Sequence, residues 1–298
     1  MQDSKNKICI RLSGGLGNQL FQLSAGLSLS NLLKSEELFL DARFLGDYET
    51  PRSFELDFLV QHIKGVNMLS SQMQLEQFAS RFRISKIVDG KVLDYVFLSS
   101  INSLLAFRTL CGQQEYRSIV LDGYFQDPRV LDIEGLRGIF DKVVKDDRNA
   151  LLEIVNQNFS ANGAPLIGVH VRRGDFLYQN AASKRFQIVD LAYYLQAVKH
   201  FPSNVSFLIF GDDPKICSEL SVRLNGFRVG CLGLTMQQEF ILLSSCDGFI
   251  IANSTFSWWA SSLCNKPAST VVAPKEWYKS KVENEGNQLL LKHYKFIN

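Results

Sequence analysis

Short apolar runs, mostly closed by Gly, Pro, Asp or Asn, alternate along this chain with stretches of helical periodicity. The runs fall at Lys7–Leu12, Leu38–Asp41, Ser118–Leu121, Leu166–Arg172, Val205–Phe210, Gly248–Ala252 and Thr270–Ala273. Near-continuous apolar runs of this length are those of parallel strands buried on both faces. Parallel strands need crossover connections. Helical patterns at Gln19–Leu33, Val143–Asn156, Leu191–Lys199 and Gln237–Ser245 supply them, and the alternation predicts an α/β chain.

The chain has 298 residues, enough for two domains or one large one. A new strand–helix series begins after Asn162-Gly163-Ala164-Pro165. The expected division is therefore 1–155 and 156–298. The stretch 53–112 is the least legible; within it SFELDFLVQHI reads as an amphipathic helix. A net charge of +2 gives no sign of a nucleic-acid groove or a polybasic tail, so any bound anion needs a local site. MQDSKNKICI lacks the apolar core of a signal peptide, and no run reaches the ~18 apolar residues of a membrane span. The expected location is cytoplasmic, with at most peripheral association at the inner membrane face. Six scattered cysteines without a C-x-x-C pair read as reduced packing residues.

In ICIRLSGGLGNQLFQ an apolar strand enters a glycine turn and leaves as a helix. Gly15-x-Gly17-x-x-Leu20 lacks the third glycine of the dinucleotide fingerprint, although Asp41 ends the next strand where such folds keep a ribose-binding acid. A plain tight turn accounts for the glycines. It does not account for Asn18-Gln19, whose amides suit either a cap or a ligand contact.

PLIGVHVRRGDF is more demanding. Period-two geometry puts Gly168, His170 and Arg172 on one face, with Gly168 keeping that face open. Arg173 and Asp175 then fall in the turn at the strand's carboxyl end, where open α/β sheets bind ligands. Arginine's planar fork matches phosphate. Asp175 either holds an arginine or accepts from a ligand; the plainer alternative is an Arg–Asp bridge closing a turn over a buried His170.

GFIIANSTFSWWASSL repeats the pattern. Asn253, Ser254 and Thr255 precede a helix whose N–H groups make an anion site, and Phe256 is placed to stack on a base or sugar. Adjacent helical positions cannot both face one ligand, so Trp258 and Trp259 read as packing residues. Gly211-Asp212-Asp213-Pro214 reads first as a helix start, with Asp212 a candidate ligand contact.

With GGLGNQLFQ, LDGYFQD, HVRRGD and IIANSTFSWWASSL in order from Gly14 to Leu263, the chain resembles the bacterial α-1,2-fucosyltransferases of glycosyltransferase family 11. The H-x-R-R-x-D core is shared more widely, among α-1,2-, α-1,6- and protein O-fucosyltransferases. The resemblance implies a GT-B fold of two Rossmann-like domains facing a central cleft. It also implies GDP-L-fucose as donor, a β-galactoside as acceptor, inversion at the anomeric carbon and no metal. Donor-binding residues carried over are Asn18, His170, Arg172, Arg173, Asp175, Asn253, Ser254, Thr255 and Phe256, joined by Gly15, Gly17 and Asp212 from the residues themselves. Arg172, Asp175 and Asn18 are the catalytic candidates, with the acceptor side in 1–155 and the donor side in 156–298. Two readings from other classes remain at this point: an NAD-dependent oxidoreductase built on the opening glycines and Asp41, and a non-catalytic sugar-nucleotide-binding protein. Within the enzyme class, an α-1,6 or α-1,3 linkage is the variant.

Overall fold

The computed structural model of the chain describes residues 7–47, 51–69, 96–110, 118–159, 163–178, 180–266 and 269–297. They form two compact units, Met1–Ile139 and Phe140–Asn298. Each is built on one sheet in which every pairing is parallel.

In the N-terminal unit the strands are β1 (Lys7–Arg11), β2 (Glu37–Asp41), β3 (Val66–Met68), β4 (Val96–Leu98) and β5 (Ser118–Leu121), ordered β3-β2-β1-β5-β4. The helix Leu16–Leu33 crosses from β1 to β2. It lies close to the sheet because Gly26 has no Cβ: one placed there would stand 2.1 Å from Ile10 Cδ1. The order reverses between β1 and β5.

In the C-terminal unit they are β6 (Leu166–Val171), β7 (Ser206–Gly211), β8 (Phe227–Arg228), β9 (Gly248–Ile250), β10 (Thr270–Pro274) and β11 (Lys295–Ile297), ordered β11-β10-β9-β6-β7-β8. Counted from β6, this is the 3-2-1-4-5-6 order of the doubly wound dinucleotide fold, with its reversal between β6 and β9. Ile167, Val169 and Val171 point to one side of the sheet and join a core with Tyr193, Tyr194, Ile209, Leu220, Ile250 and Val272.

The units divide between Ile139 and Phe140, earlier than the expected 155. The helix Lys145–Asn158 packs on the helix Met236–Ser244 within the C-terminal unit, and the Phe140 ring meets Phe240 edge-on at 5.7 Å. The expected Val143–Asn156 helix is the second of two, preceded by Ile133–Val143. SFELDFLVQHI is helical only over Asp57–Val60. The buried Gln19 side chain donates to Ser53 O and accepts from Glu55 N, which ties the chain before that helix to the helix Leu16–Leu33. Cys9, Cys217, Cys246 and Cys264 are free and buried; Cys231 is free but exposed, so packing does not explain it. Cys111 lies outside the described residues. Among the described residues no helix is long and apolar enough to cross a membrane.

Candidate active site

At the reversal point of the C-terminal sheet, the carboxyl ends of β6 and β9 lie side by side, since Val169 pairs with Ile250. The chain leaves β6 as Arg172-Arg173 and leaves β9 toward Asn253-Ser254-Thr255-Phe256. A doubly wound sheet binds its ligand at such a point.

Arg172 is fixed from two sides. Its Nη1 donates to Asp212 Oδ2 at 2.7 Å, and its guanidinium lies 5.7 Å from the centre of the Phe176 ring. Arg173 donates through its backbone N–H to Asp212 Oδ1 at 2.8 Å and through Nη1 to Asp213 Oδ2 at 3.1 Å. Asp213 also caps the helix Pro214–Leu224, accepting from Lys215 N and Ile216 N. The two aspartates reach these positions because β7 ends on Gly211 at φ +151°, where a Cβ would stand 2.4 Å from Val171 O. Asp212 is thus a partner of Arg172. Asp175 lies in the short helix Gly174–Tyr178, and its side chain is outside the described residues.

His170 is 6% exposed and stacks on Phe256, with centroids 5.3 Å apart and planes 25° apart. Burial, reinforced by the Arg172 charge and opposed by Asp212, lowers its pKa to about 4. It is therefore a neutral ring at pH 7. Gly168 does not keep this face open for a ligand. A Cβ there would meet Leu243 Cδ1 at 2.4 Å, so the missing side chain admits the helix Met236–Ser244 instead.

Asn253 is 2% exposed, and its Nδ2 donates to Gln187 O at 2.6 Å and Trp277 O at 2.9 Å. It joins two loops beside the site, where Phe186 also stacks on Phe176 at 4.7 Å. Ser254 is the N-cap residue of the helix Thr255–Leu263 but makes no side-chain capping bond, so its hydroxyl does not close off the first-turn N–H groups. Thr255 and Phe256 are half-buried. Trp258 and Trp259 are fully buried, as expected of packing residues.

Gly15, Gly17 and Asn18 belong to the N-terminal unit, at its own reversal point. Gly14 takes φ +74°, and Gly15 is the extended N-cap of Leu16–Leu33. Asn18 makes no cap; its Oδ1 accepts from Gln126 Nε2 at 3.0 Å. Gln22 bridges the glycine turn to the loop after β5, accepting from Ser13 N and donating to Gly123 O. A carboxylate of the chain itself stands at the turn, its Oε2 3.5 Å from where a Cβ on Gly15 would lie. The Leu16 N–H donates to Glu55, whose carboxyl is pushed up by burial against the opposing pull of that bond and of Arg52. Asp41 is 1% exposed and bonded to Arg43 at 2.8 Å, so it is not open to a ribose. Both features remove the basis of the oxidoreductase reading. Gln126 and Glu55 were missed in the sequence, although Gln126 stands inside LDGYFQD.

The chain matches the family model for glycosyl transferase family 11 over residues 1–298. It belongs to that family. An α-1,2-colitosyltransferase of Escherichia coli is 28% identical over 284 residues, covering 91% of this chain and 92% of that protein. A galactoside 2-α-L-fucosyltransferase of Mus musculus, Sec1, is 26% identical over 155 residues, covering 45% of this chain and 42% of that one. Among solved structures, POFUT1 in complex with GDP-fucose superposes with a TM-score of 0.50 at 11% identity, covering 90% of this chain and 97% of that one. The fold is of the GT-B glycosyltransferase type, and the chain is a glycosyltransferase.

Proposed function

We propose that this glycosyltransferase moves L-fucose from GDP-β-L-fucose to the 2-hydroxyl of a β-galactoside, with inversion and without a metal. The observation that carries the reading is Arg172, held at the reversal point by Asp212, with the helix Thr255–Leu263, which has no side-chain cap, starting from the neighbouring strand end. Breaking the sugar–phosphate bond develops negative charge on the departing GDP. A guanidinium and helix N–H groups fixed in advance stabilise that charge without reorganising during the reaction. Arg173, tied to Asp212 and Asp213, adds positive potential at the same place.

His170, Asn253, Ser254, Thr255 and Phe256 frame the donor site in this account. Asn18 and Asp175 are assigned donor contacts on the family resemblance, and Gly15 and Gly17 on the close approach a glycine turn allows. The fucose reading draws on the mouse relative and on the sequence resemblance; the bacterial relative makes colitose the second sugar to offer.

The test is incubation of the purified chain with GDP-fucose or the corresponding colitosyl donor against a panel of galactosides, with NMR of the product. The expected product is an α-1,2-fucoside, formed undiminished in excess EDTA. A different linkage, a colitoside alone, or loss of activity in EDTA with recovery on Mn²⁺ would each overturn the corresponding part.

A further inference from the structure

In the N-terminal unit the loop that follows β5 carries a strained residue. Phe125 takes φ +49°, the left-handed region that a bulky side chain rarely enters. Strain of this kind persists only where the surroundings over-determine it. Here they do. Gln22 donates to Gly123 O at 3.1 Å, Gln126 donates to Asn18 Oδ1 at 3.0 Å, and the fully buried Asp127 accepts from Arg129 Nε at 2.9 Å. Gly123 lets the loop press against its neighbour, since a Cβ there would stand 2.8 Å from Ser99 O. The Phe125 ring itself is buried.

What this anchored loop holds outward is Tyr124. It is 44% exposed, the one exposed aromatic ring of the unit among the described residues. Those residues offer it neither a stacking ring nor a partner for its hydroxyl. A lone aromatic on a surface needs no explanation. One fixed between two anchored neighbours, beyond the carboxyl end of β5 where the sheet order reverses, does. The charges at these strand ends are matched. Arg11, at the end of β1, donates to Asp122 at 2.8 Å, and Arg43 donates to Asp41 at 2.8 Å. Paired in this way they suit a neutral ligand better than a phosphate. Phe44 is a poorer platform than Tyr124, because the guanidinium groups of Arg11 and Arg43 already lie 4.9 and 5.2 Å from its ring centre.

We propose that Tyr124 is an acceptor-binding residue whose ring carries the apolar face of the galactose unit. The axial 4-hydroxyl of a β-galactoside leaves the hydrogens of C3, C4 and C5 together on one face, which is apolar although the sugar's edge is rich in hydroxyls. A tyrosine ring is a flat apolar surface with a polar tip, which matches that combination. Asp122, two residues before it and half-buried, offers a carboxylate acceptor to the hydroxyl edge. A platform fixed before binding loses little freedom when the sugar arrives. The inference rests on the reading of the chain as a transferase to β-galactosides with its acceptor side in the N-terminal unit.

The test is transfer of fucose by the full chain to lactose, N-acetyllactosamine and methyl β-galactoside, with calorimetric titration of GDP alongside. Tyr124→Ala, checked by circular dichroism, is expected to raise the KM for the galactoside by about tenfold, as the loss of one aromatic contact implies. Its affinity for GDP is expected to match that of the unsubstituted protein, and Tyr124→Phe is expected to keep the original KM. An unchanged KM in Tyr124→Ala overturns the proposal and leaves the galactoside reading standing. A Tyr124→Phe that loses the acceptor as Tyr124→Ala does puts the contact in the hydroxyl and overturns the role of the ring. An unfolded Tyr124→Ala, or equal losses of galactoside and GDP binding, shows a structural role and overturns it as well. No transfer by the unsubstituted chain to any of the three sugars overturns the proposal together with the galactoside reading.

Discussion

His170 shows how one residue serves several purposes at the end of a buried strand. Its ring packs on Phe256, burial and Arg172 keep it neutral, and neutrality avoids a third positive charge beside two arginines. Its folded pKa of about 4 lies below the ordinary 6.5, so between these values the unfolded chain binds the proton and the folded chain does not. Stability from this group is therefore complete above about pH 6.5 and falls as pH drops toward 4, by up to roughly 3 kcal/mol. Urea denaturation of the protein and of His170→Gln over that range should show a slope that the substitution flattens; parallel slopes would contradict it. The partnership of Arg172 was not legible in the sequence. HVRRGD offered Asp175 as the nearest acid, and Asp212, on the neighbouring strand end, was not read as a partner although it is bonded to Arg172. Sequence proximity does not report parallel pairing across forty positions, but the pairing of Val171 with Gly211 does.

Among the elements, the long apolar strands and the three-residue Gly248–Ile250 were legible, and the other three-residue strands were not. Val66–Met68, Val96–Leu98 and Lys295–Ile297 are too short to show a period. The helix Ile133–Val143 was not read; it carries two glycines, Gly135 and Gly138, which have low helix propensity. Asp213-Pro214 was legible because capping is local, and it starts a helix as expected. Asn253 was read only as preceding a helix N-terminus, yet its amide joins the loops at Gln187 and Trp277. Asn253→Asp would place a buried carboxylate against two carbonyl oxygens and should cost on the order of 3–5 kcal/mol, read as a lowered urea midpoint. An unchanged midpoint would show that these loops do not depend on the clamp.

At the scale of the whole molecule, the α/β alternation fixed the class, and the motifs carried the family. The failed glycine fingerprint proved informative: the first unit's turn holds its own Glu55, while the second unit has the 3-2-1-4-5-6 order and the paired arginines. A net charge of +2 with Arg172 and Arg173 each matched to an aspartate fits an anion held locally, not by a general basic field. The central claim is that Arg172 meets the charge on the departing GDP. Its most direct test is GDP release by Arg172→Ala in the presence of acceptor, with circular dichroism to establish folding. The account predicts a folded protein whose turnover falls by about 100-fold or more, the loss typical of removing one preorganised donor; a folded Arg172→Ala that turns over near the unsubstituted rate would contradict it.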